Sequence, residues 1–277
     1  MKSIAEILKQ AAESEDPQNQ TSSINEDVEE SELTKIIDRQ VALFNNSKGS
    51  GSCIDCNGKG LIATREGNYQ ITHYCNCKIK KDAAELMRKN GFGKMSELTL
   101  DDYHVEYDWQ KVVKKAALDF VNEENPVGFL ITGQPGCGKT LLLSCLANEL
   151  YLKTSIAPLY ISFTSWLSSL KDILGSGKLI YDEINKLKYA PILLLDDVLK
   201  SSTLGRVTPF DLETLFQIID YRYKTDSLIT LISSELLPDS LYQVDKAIAG
   251  RIIQMSSKFN IQIKENKKYD FRLPTED

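Results

Sequence analysis

The sequence predicts an α/β fold, a parallel central sheet covered by helices on both faces, with a small helical and cysteine-bearing module ahead of it. Three observations predict this. Apolar runs of strand length, at residues 127–132, 159–163, 191–195 and 228–233, alternate with stretches of helical apolar spacing. Continuous apolar strands joined by helices belong to a sheet buried on both faces. The residues Gly133-Gln134-Pro135-Gly136-Cys137-Gly138-Lys139-Thr140 follow the first run and open a helix, the setting in which G-x-x-x-x-G-K-[ST] wraps a phosphate chain. Four of the six cysteines fall within residues 53–77.

The elements follow in order. Residues 1–12 place Ile4, Ile7, Leu8 and Ala11 at helical spacing. Residues 13–30 are acidic and poor in apolar side chains, the composition of a flexible linker. A second amphipathic helix is expected over 31–44, from Leu33, Ile36, Ile37, Val41 and Phe44. Neither helix is long enough to stand alone, so each calls for a surface, on its own chain or on another protein. A Gly/Ser/Asn loop over 45–52 leads into the cysteine module, and a basic helix is expected over 78–90. Residues 108–124 read as a helix with Trp109, Val112, Val113, Ala116, Phe120 and Val121 inward. The helix from Lys139 carries Leu141, Leu142, Cys145, Leu146 and Leu150. Further helices are expected over 165–174, 211–224 and 239–255, and a last strand over 259–263. The chain thus divides into an arm over 1–50, a cysteine module over 51–90 and an α/β domain over 91–277.

At 277 residues there is room for one full α/β domain plus something smaller. No apolar run approaches the ~18 residues of a membrane span, and the N-terminus has no signal-peptide pattern. The expected place is the cytoplasm, with no membrane partner. The net charge of -6 does not by itself suggest a nucleic-acid binder, but the charge is uneven. No base lies between Lys9 and Lys35, whereas Lys78, Lys80, Lys81, Arg88, Lys89 and Lys94 face only Asp82 and Glu85.

In the phosphate loop, glycines let the backbone aim its N–H groups inward, Lys139 reaches the β/γ-phosphates, and the Thr140 hydroxyl can ligate Mg²⁺. The helix that follows points its positive end at the same anion. Asp196 and Asp197 close the strand over 191–195, where nucleotide binds in open α/β sheets. Asp196 is placed to hold Mg²⁺ through water, and Asp197 to orient or deprotonate an attacking water. Ser233-Ser234-Glu235 closes the next strand, either as a polar tip toward the γ-phosphate or as a turn cap. Arg206, Arg222, Arg251 and Arg272 are the domain's candidates for an arginine supplied to a neighbouring subunit.

Cys53-x-x-Cys56 and Cys75-x-Cys77 match a structural zinc site of four thiolates, with His73 as an alternative fourth ligand. With no secretion signal, metal binding is a better reading than a disulfide framework. Residues 61–74 between the pairs read as a hairpin turning near Glu66-Gly67-Asn68. Tyr69, Tyr74, Lys59, Arg65 and the basic helix offer stacking and phosphate contacts to single-stranded nucleic acid, or simply a solvated basic face.

A Cys-x-x-Cys…Cys-x-Cys module joined to a compact ATPase resembles the DnaC/DnaI-type helicase loaders, closest to versions found in phages and mobile elements of Gram-positive bacteria. The resemblance covers about residues 53–273. It rests on the phosphate loop, Leu193-Leu194-Leu195-Asp196-Asp197, residues 215–223, Ile232-Ser233-Ser234-Glu235 and Gly250-Arg251-Ile252-Ile253. It implies an AAA+ fold with ATP held by Gly133, Gln134, Pro135, Gly136, Cys137, Gly138, Lys139, Thr140 and Leu141, with Asp196. It implies Lys139, Asp197, Ser234 and Arg251 as catalytic residues, Ser234 with Glu235 in the sensor 1 region, Arg251 as the arginine finger, and Arg272 as sensor 2. Its partners would be a hexameric DnaB-type replicative helicase, single-stranded DNA and further copies of the chain. Glu235 stands where many relatives have Asn, and Met255 where some carry a second arginine. The competing reading is an IstB-type transposition ATPase, which shares the core and works on duplex DNA with a transposase.

Overall fold

The computed structural model describes residues 23–173, 177–200 and 207–272. The helix expected over 1–12, residues 13–22 of the expected linker, and Arg206 lie outside them. The chain divides into two compact units, Met1–Lys78 and Ile79–Asp277.

In the first unit, helix α1 (Ser23–Asn46) starts earlier than expected, so residues 23–30 are helical. No Pro or Gly interrupts that stretch, and once a helix is nucleated each added residue costs little. Strands β1 (Leu61–Glu66) and β2 (Tyr69–Tyr74) form the expected antiparallel hairpin. Lys59 is not presented to a ligand. Its ammonium donates to the carbonyls of Asn45 and Ser47 at 2.8 Å, and to that of Phe44, at the negative end of α1. Arg65 likewise pairs with Asp38 at 2.8 Å and donates to the Gly67 carbonyl. The side-chain amide of Asn45 bonds both backbone groups of Ala63 at 2.9 Å, closing the outer edge of β1. All six residues of β2 are exposed.

Helix α2 (Asn76–Met87) starts with the last residues of the first unit and continues into the second, where it leads through a turn into α3 (Asp108–Asn122). Then come β3 (Gly128–Gly133), α4 (Lys139–Thr154), β4 (Leu159–Ser162) and α5 (Phe163–Asp172). They are followed by α6 (Gly177–Tyr189), β5 (Ile192–Asp196), α7 (Pro209–Tyr223) and β6 (Ile229–Ser234). The last elements are α8 (Pro238–Val244), α9 (Lys246–Met255) and β7 (Asn260–Ile263). The five strands are all parallel, in the order β4-β5-β6-β3-β7.

Side chains alternate across the sheet, so each buried strand feeds two cores. Phe129, Ile131, Leu194 and Leu231 join one core with Leu142, Leu146 and Phe120. There Phe120 meets Phe129 and Phe259 edge-on, at 5.4 and 5.0 Å between ring centres. Leu130, Leu193, Leu195 and Ile232 join the other core with Leu215, Ile218 and Ile252.

Three helices depart from expectation. The helix expected over 239–255 is broken at Asp245, whose carboxylate accepts from the N–H groups of Ala247 and Ile248 at 2.8 and 2.9 Å. That is N-cap geometry and starts a new helix. Helix α6 was not among the expected elements, although Ile180, Ile184 and Leu187 are spaced for one face; the glycines ahead of them read as a loop. Helix α7 begins at Pro209, two residues early, because Thr208 and Asp211 form a reciprocal capping box.

Candidate functional site

The phosphate loop runs from the end of β3 to the first turn of α4. Lys139 is buried, its ammonium donating to the Gly133 and Gln134 carbonyls at 2.8 Å each. Gly136 has φ of +79°, and a side chain there would run into the carboxylate of Asp270. Glycine is therefore required twice over, by conformation and by space. The Phe271 N–H donates to the Gly136 carbonyl at 3.1 Å, and the Asn266 N–H to the Gln134 side-chain oxygen. The segment after β7 thus lies along the loop and brings Arg272 to the cavity.

That cavity has a volume of about 250 Å³ and is lined by Met95, Pro135, Gly136, Gly138, Lys139, Thr140, Leu141, Asp197, Lys200, Glu235 and Arg272. Gly133, Gln134, Cys137 and Asp196 are not among its lining residues. The Cys137 thiol donates to the Gln134 carbonyl at 3.0 Å. Burial pushes that thiol up, with Lys139 opposing; it is a packing group.

Asp196, at the end of β5, is buried and is the focus of three hydroxyls. Thr140 reaches both its carboxylate oxygens at 2.9 Å, Tyr160 reaches Oδ2 at 2.9 Å, and Ser233 reaches Oδ1 at 2.5 Å. Thr140 and Asp196 are therefore a fitting donor set for Mg²⁺, with hard oxygen ligands at the mouth of a phosphate cradle. Asp197 follows with φ of 58°, a left-handed conformation that costs a non-glycine residue about 1–2 kcal/mol. Its N–H donates to the Ser233 hydroxyl at 2.8 Å, and its carboxylate pairs with Lys200 at 2.5 Å. These contacts hold the strained residue facing the cavity.

Ser234 requires a correction. It is fully buried, its hydroxyl donating to the Val198 carbonyl at 2.6 Å and accepting the Leu236 N–H at 3.1 Å. Ser233 holds the place beside the acids. The register pairs Leu195 with Ile232, which puts Ser233 next to Asp196, and strand alternation turns Ser234 the other way. Glu235 lines the cavity.

The arginines separate. Arg222 has no exposed surface and makes five hydrogen bonds, to Thr230 and to the carbonyls of Leu187, Lys188, Ala190 and Ile229. Burial draws its guanidinium down to about 9, still protonated at neutral pH, as five bonds to oxygen require. It is a structural bolt and not a supplier of charge to a neighbour. Arg251 does not line its own chain's cavity. It pairs with Asp220 at 2.9 Å, donates to the Ala247 carbonyl and lies over the Phe216 ring at 4.9 Å.

In the first unit, Cys53, Cys56, Cys75 and Cys77 bring their sulfurs within 4.8 Å of one another. The pairs Cys53–Cys75 and Cys56–Cys77 stand 3.9 and 3.6 Å apart. A tetrahedral ion with Zn–S bonds of about 2.3 Å requires edges of about 3.8 Å, so the set fits zinc. Without a cation the thiols titrate against one another. Burial and the neighbouring sulfurs push Cys77 up to about 12. At Cys56 burial acts in the same sense but is outweighed by the Gly60 N–H and the thiol hydrogen bonds, bringing it to about 7. His73 lies on exposed β2, outside the group.

Sequence reasoning missed Tyr160, Lys200 and Met95. Only Tyr160 left a signal, a hydroxyl within an otherwise apolar buried strand.

The Bacillus subtilis (strain 168) phage-like element PBSX protein XkdC is 27% identical over 222 residues, covering 76% of this chain and 82% of its own. A replicative helicase loader DnaC of Buchnera aphidicola subsp. Acyrthosiphon pisum is 28% identical over 150 residues, covering 51% of this chain and 60% of its own. The crystal structure of the DnaC helicase loader shares the fold with a TM-score of 0.50 at 24% identity, covering 62% of this chain and 99% of that one. The second unit is an AAA+ P-loop ATPase fold. A family model described as IstB-like ATP binding protein matches residues 77–264, a span that holds the phosphate loop, Asp196 and Ser233, and the chain belongs to that family of ATPases.

Proposed function

We propose that this ATPase is a helicase loader: it grips a hexameric DnaB-type replicative helicase, binds single-stranded DNA and delivers the helicase to it at replication initiation. The observation that carries this reading is the first unit. Four sulfurs cluster in a small fold that nucleotide chemistry does not need, and that fold displays apolar surface. Leu33, Ile36 and Leu43 of α1 are exposed at helical spacing, Ile54 is 86% exposed in the cysteine turn, and Tyr69 and Tyr74 are exposed on β2. Such surface is suited to a protein partner at α1 and to base stacking at the hairpin. Relatives named as replicative helicase loaders support the same reading.

In this proposal Lys139 and the loop N–H groups hold the triphosphate, and Thr140 with Asp196 holds Mg²⁺. Bound there, Mg²⁺ neutralises phosphate charge. Asp197 orients the attacking water, Ser233 aligns both acids, and Arg272 contacts the nucleotide of its own chain. Arg251 serves a neighbouring copy in an ATP-dependent homo-oligomer, with hydrolysis slow until partner or DNA is present. Zinc occupies the four cysteines, and the protein works in the cytoplasm, where thiols stay reduced. Among the described residues no helix is long and apolar enough to cross a membrane. The proposed domains are an arm over 1–50, a zinc module over 51–90 and the AAA+ domain over 91–277.

The test is co-purification of the full chain with a DnaB-type helicase, with a transposase as competing bait. Capture of the helicase, lost on Leu33→Asp/Ile36→Asp, supports loading. Preferential capture of the transposase selects the transposition ATPase.

A further inference from the structure

The three hydroxyls that meet Asp196 come from three different elements, Thr140 from α4, Ser233 from β6 and Tyr160 from β4. Tyr160 sits on β4, two residues before the position that pairs with Asp196, and its phenol crosses to Oδ2 at 2.9 Å. Burial and then the Asp196 charge push that phenol up, so it keeps its proton and donates. A carboxylate held by a hydroxyl on each oxygen has little freedom to rotate, the arrangement by which outer partners orient metal-holding groups.

The other side of the Tyr160 ring is also held. Phe92, buried, packs against it at 5.4 Å between ring centres. Gly91 has φ of +97°, and a side chain there would stand 2.9 Å from the Tyr160 carbonyl and 3.4 Å from its ring. Only glycine lets the turn come this close. Asn90 fastens the same turn to the residue just ahead of β4 by donating to the Pro158 carbonyl at 3.1 Å. This turn follows directly on α2, so a displacement of α2 reaches Phe92, then the tyrosine ring, then the carboxylate.

We propose that Tyr160 is a positioning residue for Asp196, and that the Gly91–Phe92 turn behind it makes the cation site answer to helix α2. This rests on the reading of Asp196 as the Mg²⁺-holding acid. Tyr160 touches no substrate; it acts through Asp196. Coupling of this kind travels through packed groups with defined arrangements and is established by perturbing them singly.

The experiment is equilibrium binding of a fluorescent ATP analogue to the full chain, in EDTA and across a Mg²⁺ titration, with melting temperature as a control for folding. Tyr160→Phe keeps the ring and removes the hydroxyl. It is expected to bind nucleotide in EDTA as the wild type does, and to need about tenfold more Mg²⁺ for the half-maximal rise in affinity. Phe92→Leu is expected to move the Mg²⁺ midpoint the same way by about threefold, with Gly91→Ala as a second variant on the same turn. A wild-type Mg²⁺ midpoint in Tyr160→Phe overturns the positioning role. A shift in Tyr160→Phe with none in either turn variant overturns the link to α2. Asp196→Asn separates the two layers. If it leaves the Mg²⁺ dependence unchanged, both the metal reading and the proposal fall. If it abolishes the dependence while Tyr160→Phe changes nothing, only the proposal falls.

Discussion

The hydroxyl of Thr140 and the carboxylate of Asp196 lie 2.9 Å apart across 56 residues of sequence. One stands on the first turn of α4 and the other at the tip of β5, and the parallel sheet brings the two ends together. This contact makes one site of two motifs. Thr140→Val keeps the side-chain shape and removes the hydroxyl. Mg²⁺-dependent ATP hydrolysis is expected to fall about 100-fold, about 2.7 kcal/mol in barrier, with nucleotide binding in EDTA nearly unchanged. Lys139→Ala is expected to abolish nucleotide binding, measured by isothermal titration. Unchanged affinity in that variant would remove the ATPase reading.

The two serines at the end of β6 are expected to separate by phenotype. Ser233→Ala removes a bond to Asp196 and one from the Asp197 N–H, so turnover is expected to drop at least about tenfold. Ser234→Ala removes a bond to Val198 and is expected to cost about 1–2 kcal/mol of stability with turnover per folded molecule preserved. Steady-state hydrolysis and urea unfolding read the two effects separately, and the reverse pattern would restore Ser234 to the site.

Arg222 and Arg251 also divide. Arg222→Met leaves four carbonyls and Thr230 without their buried donor and is expected to destabilise by about 3–5 kcal/mol, seen as a lowered melting temperature. Arg251→Ala is expected to retain ATP binding and lose hydrolysis in the assembled oligomer. Lys224, and Arg251 beside it, hold the Asp220 carboxyl below the usual carboxylate range against a smaller opposing effect of burial. A depressed folded value means this contribution is complete above about pH 4 and is lost as pH falls through the lowered value. Arg251→Ala should therefore flatten the acid limb of stability against pH. An unaltered acid limb would show that the pair contributes nothing in solution.

Purified protein is expected to carry one zinc per chain, measured by inductively coupled plasma mass spectrometry. Cys75→Ser is expected to lose the metal and to lose amide-exchange protection in β1 and β2, while the nucleotide site keeps its affinity. Metal-free protein with the hairpin still protected would remove the zinc reading.

The sheet was legible because its strands are continuous apolar runs, and few alternatives bury Phe129 to Ile131 or Leu193 to Leu195 on both faces. The phosphate loop and the cysteine pairs were legible because their chemistry is local, with spacing alone bringing the donors together. Helix boundaries were less so. Asp245 reads equally as a surface acid or as a cap, and only its bonds to Ala247 and Ile248 decide for the cap.

By itself, the sequence determined the class of fold, the phosphate loop, the pair of acids and the four-sulfur cluster, since each is set by periodicity or by neighbours a few residues away. Only the tertiary structure decided that Ser233 and not Ser234 meets Asp196, that Lys59 and Arg222 are spent inside the fold, and that Tyr160 reaches the same carboxylate. The Lys59 and Arg222 assignments depend on carbonyls that the fold brings to them, and those of Ser233 and Tyr160 on strand register and on which face a side chain takes. A shift of one residue in pairing reverses both, and no local pattern encodes it.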